Sequence, residues 1–186
     1  MKCSTEVAPL RAAPDDNSEQ VTQALLGEPL QVKERRERWA RVETAYGYEG
    51  WIPEHALEEG DGVLPEPNGL RPLEVARSLL GSPYAWGGLS ATGIDCSGLV
   101  HLAYRLTGRL VPRDAWQQEQ AGTPVTERDM AAGDLLTFGT TDRANHIAFW
   151  IGEGWILHAT GRDSLGVVEE REPAALSESR RTIMRL

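Results

Sequence analysis

The chain has 186 residues, a net charge of −9 and 40% hydrophobic residues, values that suit a globular protein of one large domain or of a small and a medium one. The negative charge argues against nucleic acid as a partner, and no apolar run approaches the roughly 18 residues of a membrane span. The start, Met1-Lys2-Cys3-Ser4-Thr5-Glu6, has neither the apolar core of a signal peptide nor a lipid-attachment pattern, so a cytoplasmic location is expected.

Residues 4–60 read as short strands separated by turns. Pro14-Asp15-Asp16-Asn17-Ser18 is a turn cluster. Gln20 to Leu26 and Pro29 to Glu34 form two strands split by Gly27-Glu28. Trp39-Ala40-Arg41-Val42-Glu43 alternates as a half-buried strand does, and Tyr46 to Pro53 adds a turn and another strand. Five strands in about 55 residues suggest a small barrel. Residues 1–66 hold 7 Lys+Arg against 14 Asp+Glu, and the remainder 12 against 14, so most of the negative charge lies in this first section. It is either a surface suited to a cationic group such as a free amine or an ordinary solvated face.

Residues 61–69, rich in Gly and Pro, read as a linker to a second domain over residues 70–186. That domain opens on a helix with Leu73, Val75, Ala76, Leu79 and Leu80 apolar and Gly81 past its end. A glycine-rich loop, Tyr84-Ala85-Trp86-Gly87-Gly88 and then Ala91-Thr92-Gly93, runs into Asp95-Cys96-Ser97-Gly98. Leu99, Val100, Ala103 and Leu106 continue it as a helix closed by Gly108. Asp114 is placed to cap a third helix that Gly122 ends. Strands are expected at Leu135 to Phe138, His146 to Ile151, Trp155 to Thr160, Val167 to Glu170 and Thr182 to Leu186. Helices first and an antiparallel sheet second make an α+β domain.

Cys96 sits at the first turn of its helix, where unpaired N–H groups and the helix dipole favour a thiolate. It is either a nucleophile or a buried structural cysteine. A disulfide between the two cysteines, Cys3 and Cys96, is not expected, since it would silence the better nucleophile. A thiolate needs a base and a group to orient it. Of the four histidines, His55 lies in the small domain, in a turn. His101 follows Cys96 by five residues on one helix, about 500° of turn, and points roughly 140° away. His146 and His158 remain, on neighbouring strands joined by Gly152-Glu153-Gly154. With a three-residue loop, Ile151 opposes Trp155 and His158 opposes Ala148. The two histidines then become diagonal neighbours on one face, within about 7–8 Å. A two-residue loop would put them on opposite faces. No metal site is evident, because two histidines and one cysteine lack a fourth ligand, and no cofactor is expected. The glycine-rich loop is not a phosphate loop, because no Lys-Ser or Lys-Thr follows it.

Pro83-Tyr84-Ala85-Trp86-Gly87-Gly88, Asp95-Cys96-Ser97-Gly98-Leu99-Val100, Pro112-Arg113-Asp114, Ala132-Gly133-Asp134-Leu135 and Asn145-His146-Ile147-Ala148 resemble the NlpC-type cell-wall cysteine peptidases, which have a papain-like fold. The small domain resembles a bacterial SH3 (SH3b) domain through Leu10 to Pro14, Gly27-Glu28, Trp39-Ala40-Arg41-Val42 and Gly50-Trp51-Ile52-Pro53. The resemblance implies Cys96 as nucleophile, His146 as base, His158 as the third polar residue and Tyr84 as a partner in the oxyanion hole. Chains pairing the two domains resemble γ-D-glutamyl-L-diamino acid endopeptidases, which act on small murein peptides with a free N-terminal L-Ala. For the amine and the glutamyl carboxylate this implies Asp95, Ser97 and Asp114, with Tyr48 closing the site and Glu19 as a further acidic contact. Asp114 is alternatively only a helix cap.

The expected activity is therefore cleavage of the γ-D-glutamyl-L-diamino acid bond in murein-peptide recycling. One alternative is a secreted hydrolase of intact peptidoglycan whose SH3b domain binds the wall. The other is a non-catalytic wall-binding protein, against which the presence of Cys96, His146 and His158 argues.

Overall fold

The computed structural model describes residues 1–140 and 142–186. Two regions pack together. The first is all β: β1 (Val7–Arg11), β2 (Gln20–Leu25), β3 (Leu30–Arg36), β4 (Trp39–Thr44) and β5 (Glu49–Pro53) form an antiparallel sheet in the order β2-β1-β5-β4-β3. Alternation along these strands turns Ala8, Leu10, Ala24, Leu30, Val42 and Ile52 inward, giving the region its own core. Residues 59–71 cross to the second region without regular structure.

The second region is α+β. Its helices are α1 (Pro72–Ser78), α2 (Cys96–Leu106) and α3 (Ala115–Ala121). Its sheet contains β6 (Leu135–Phe138), β7 (His146–Gly152), β8 (Trp155–Thr160), β9 (Gly166–Arg171) and β10 (Arg180–Arg185). Their order is β10-β6-β7-β8-β9, with the short strand Thr123–Pro124 outside β10. One sheet face, with Ile147, Phe149, Leu157 and Ala159, packs on Leu99, Val100 and Ala103 of α2. The other face carries Leu136, Phe138, Ala148 and Ile156. A short helix, Ala174–Ser177, and a two-strand ribbon, Leu89–Ser90 with Gly93–Ile94, are additions that the sequence reading did not place.

The hairpin between β7 and β8 differs from expectation in an instructive way. Its loop has two residues, Glu153 and Gly154, with φ of 51° and 77°. Left-handed backbone at both positions is the type I′ geometry that suits the twist of a hairpin. Such a loop alone would have reversed the relative faces of the histidines. Instead Trp155 pairs with Gly152 rather than Ile151, and a bulge at Ile151 absorbs the extra residue. Beyond the bulge Trp150 opposes Ile156 and Phe149 opposes Leu157, so His146 and His158 share a face.

The two regions meet along β2, which lies against the glycine-rich loop and the Leu89–Ile94 ribbon. Gln23 Oε1 accepts from the Leu89 N–H at 2.7 Å, and Gln20 Nε2 donates to the Trp86 carbonyl at 3.0 Å. Arg105 of α2 and Glu28 form a fully buried ion pair at 2.8 Å. The rings of Tyr46 and His101 lie 4.3 Å apart between centroids across the same seam. Gly87 permits the approach: its φ is +67°, and a Cβ there would sit 2.3 Å from the Gln20 carbonyl oxygen.

Candidate active site

A cleft of about 370 Å³ opens over the first turn of α2, lined by residues of both regions. Glu19, Val21 and Tyr48 come from the all-β region; Tyr84, Trp86, Cys96, Asp114, Trp116 and Asn145 from the α+β region.

Cys96 is the first residue of α2, and Asp95 is its N-cap, accepting from the Gly98 N–H at 2.6 Å. The thiol is almost fully buried. The backbone N–H groups of Ile147 and Ser97 point at Sγ, which places the thiol at the start of β7. Burial, with a smaller effect of the Asp95 carboxylate, pushes the Cys96 thiol up to about 12. The helix N-terminus was expected to lower it, but those N–H donors do not outweigh desolvation, so the group rests as a thiol.

His146 and His158 stand on the sheet face that carries Phe138, Ala148 and Ile156, not the face under α2. Cys96 reaches the start of β7 through the Ile147 N–H, the residue after His146. His146 Nε2 and His158 Nδ1 lie 2.7 Å apart, with the rings edge to face. His158 Nε2 lies 2.9 Å from Glu170 Oε1. Burial lowers His146 to about 3 and lowers His158 as well, Glu170 partly opposing the shift of His158. Both imidazoles are therefore neutral near pH 7. Among the described residues Sγ has no hydrogen bond to either ring.

Tyr84 lines the cleft beside Cys96. Burial, then the neighbouring sulfur and Asp95, push its phenol up to about 12, so it remains an O–H donor at neutral pH. Tyr48 reaches the cleft and its Oη donates to Asp114 at 3.3 Å. Asp114 caps α3 and is half-buried, and burial raises its carboxyl above the usual range against the pull of Arg113. The cap and the cleft-lining position coincide in one residue. Glu19 Oε1 accepts from the Trp86 indole N–H at 2.7 Å.

Asp95 and Ser97, expected as substrate contacts, have internal partners in the structure. Both border the cleft, but their polar atoms are committed to the protein. Oδ1 of Asp95 accepts from the Gly98 N–H, Ser97 Oγ and Arg113 Nη1, and Oδ2 accepts from the Gly87 N–H and Arg113 Nη2. Five donors saturate a carboxylate that has about four lone-pair sites, leaving none for an ammonium group. Ser97 Oγ lies between Asp95 and Arg113, 2.9 Å from Arg113 Nη1.

Arg113, which the sequence shows only as part of the Pro112-Arg113-Asp114 motif, and Glu170 take roles in the site that the sequence does not assign. Arg113 is 1% exposed and uses all five of its donors: Nε on Thr22 Oγ1, Nη1 on Asp95 and Ser97, Nη2 on Asp95 and the Gly88 carbonyl. It ties the cap of the Cys96 helix to β2 of the all-β region. An arginine between a proline and a helix cap was the available signal. For Glu170 the sequence carries no such signal; the structure opposes His158 with Val168, and Glu170 lies two residues along on the same face.

A buried thiol at a helix start, two hydrogen-bonded imidazoles at a strand end and a neighbouring phenol define a cysteine–histidine centre on a papain-like α+β scaffold. Residues 81–181 match the NlpC/P60 family, and the chain belongs to that family. Residues 10–57 match the bacterial dipeptidyl-peptidase Sh3 domain. The chain is similar to the γ-D-glutamyl-L-lysine dipeptidyl-peptidase of Bacillus subtilis, 39% identical over 90 residues, or 47% of this chain and 30% of that protein. To the γ-D-glutamyl-L-lysine dipeptidyl-peptidase of Bacillus cereus it is 28% identical over 144 residues, covering 74% of this chain and 43% of that one. The chain thus spans less than half the length of these curated relatives. The crystal structure of an NlpC/P60 family protein from Bacillus cereus superposes on 99% of this chain and 62% of its own, with TM-score 0.59 and 23% identity, and so shares the fold of both regions.

Proposed function

We propose that the chain is a cysteine peptidase acting on small peptidoglycan-derived peptides, and that it cleaves the γ-D-glutamyl-L-diamino acid bond of peptides whose N-terminal L-Ala is unblocked. The names of the two Bacillus relatives support the bond type. The observation that carries the free-amine requirement is the Tyr48–Asp114 contact, which sets an acid and a phenol from two regions side by side in the cleft lining.

In this reading the L-Ala ammonium lies near Asp114 and Glu19, and the γ-carbonyl lies over Cys96. Sγ transfers its proton to Nδ1 of His146 as it attacks the carbonyl carbon, because the resting pair is neutral thiol and neutral imidazole. The oxyanion is held by the Cys96 backbone N–H and Tyr84 Oη. The His146 imidazolium returns the proton to the departing amine of the diamino acid, leaving an L-Ala-γ-D-Glu thioester. Water, deprotonated by His146, then hydrolyses the thioester and restores the thiol. His158 accepts from Nε2 of His146 throughout and orients its ring. Such specificity would confine the enzyme to peptides already released from the wall and would fit a role in murein-peptide recycling.

The test is incubation with L-Ala-γ-D-Glu-L-Lys and its meso-diaminopimelate counterpart, with products identified by mass. L-Ala-γ-D-Glu and the free diamino acid are expected. Cys96→Ala and His146→Ala should lose activity by orders of magnitude while remaining folded. Wild-type turnover in Cys96→Ala would overturn the assignment.

A further inference from the structure

We propose that Glu170 is a positioning residue of the thiol–imidazole centre, its carboxylate setting the tautomer of His158 and, through it, that of His146. The inference rests on the peptidase reading for its kinetic consequence but not for its proton arrangement.

Donors and acceptors alternate along a row from Arg162 to His146. Glu170 Oε1 lies 2.9 Å from His158 Nε2, and Arg162 Nη2 lies 2.7 Å from Oε1 and 2.5 Å from Oε2. An ionised carboxylate only accepts, so Nε2 of His158 carries the proton. A neutral His158 then presents a bare Nδ1. At 2.7 Å from it, Nε2 of His146 must be the donor, which leaves Nδ1 of His146 as the lone pair. That atom is the one able to take the Cys96 proton. An inverted row, with a donor in place of Glu170, would put a proton on Nδ1 of His146 and remove the base. Burial pushes Glu170 up, but hydrogen bonds and charge from His158 and Arg162 outweigh it and hold the carboxyl below its usual range, which keeps it an acceptor near pH 7.

The position is also where the fold can deliver such a group. Val168 opposes His158, so Glu170 is the diagonal neighbour on the same face of β9, and Glu169 points to the opposite face, where it pairs with Arg77. Arg162, which follows β8, pins the carboxylate from its far side.

The test combines steady-state kinetics with histidine ¹⁵N NMR of the full chain. In Glu170→Ala, kcat should fall at least about 10-fold with KM within about twofold, since general acid–base groups contribute about 10²–10⁴, and Glu170→Gln, whose amide oxygen can still accept from Nε2–H, should fall less. Glu169→Gln should match the wild type. The wild-type spectrum should show both His146 and His158 as Nε2–H tautomers, and Glu170→Ala should show a mixture. Unchanged kcat in Glu170→Ala, or a wild-type His158 carrying its proton on Nδ1, would overturn the proposal. The wild-type spectrum decides even where a variant fails to fold. Activity retained in Cys96→Ala would instead sink the peptidase reading, leaving the tautomers to be read independently.

Discussion

Tyr48 and Asp114 come from different regions of the chain and meet over the cleft, the phenol Oη lying 3.3 and 3.4 Å from the two carboxylate oxygens. Burial, followed by the charge of Asp114, pushes the phenol up to about 12, so it donates across the working pH range. Hydrogen bonds to charged groups are worth about 1.5–3 kcal/mol. Tyr48→Phe should therefore lower kcat/KM for a free-amine peptide by roughly 10- to 100-fold, and Asp114→Asn by at least as much. Steady-state kinetics on L-Ala-γ-D-Glu-L-Lys checks this. Wild-type values in both variants would remove the acidic end from recognition.

Arg113 should tolerate no substitution. Its ion pair with Asp95 is buried, and removing one partner of such a pair costs about 3–5 kcal/mol. Arg113→Ala should lose that much in urea unfolding. Thr22→Val leaves one buried donor without its acceptor and should cost about 1–3 kcal/mol. A Thr22→Val protein as stable as the wild type would show that β2 does not support the cap of the Cys96 helix.

Gly87 tests the docking of the two regions. A Cβ at Gly87 would meet the Gln20 carbonyl oxygen at 2.3 Å, and the backbone there is left-handed. Gly87→Ala should separate β2 from the glycine-rich loop, measured as faster proteolysis near residues 59–71 and a loss of peptide cleavage. Unaltered proteolysis and activity would mean that the seam yields without consequence.

His101 gives the fold a defined pH dependence. Burial first, then Arg113 and Arg105, hold its pKa down to about 3. The unfolded chain binds this proton below about 6.5 whereas the folded chain does not, so stability falls as pH drops from about 6.5 towards 3. At pH 5 the loss from this residue is about 2 kcal/mol relative to pH 7. Urea unfolding at the two pH values should show a smaller drop in His101→Gln than in the wild type. Equal drops would place the proton uptake elsewhere.

Much of the fold was legible in the sequence because its signals are local. Glycines, alternation and the cap residues at Asp95 and Asp114 place the strands and helices within a few residues. His146 and His158 can be placed on one face from the sequence because one hairpin links them. Even there the right register came from a loop length that does not occur, rescued by a bulge at Ile151 that no residue type announces. Glu170 was missed because the turn between β8 and β9 does not fix the register of β9. The internal partners of Asp95 are not legible in the sequence, because they depend on Arg113, 18 residues away. The acidity of Cys96 was misjudged because a helix start is visible in sequence whereas burial of the thiol is not.

We propose that the all-β region closes the cleft around a free amine. The most direct test is kcat/KM for L-Ala-γ-D-Glu-L-Lys against the same peptide N-acetylated. Acetylation removes the ammonium partner of the half-buried Asp114 carboxylate and should cost on the order of several kcal/mol, a drop of at least 100-fold. Comparable values for the two peptides, or lysis of intact sacculi, would contradict the account and favour a hydrolase of the assembled wall.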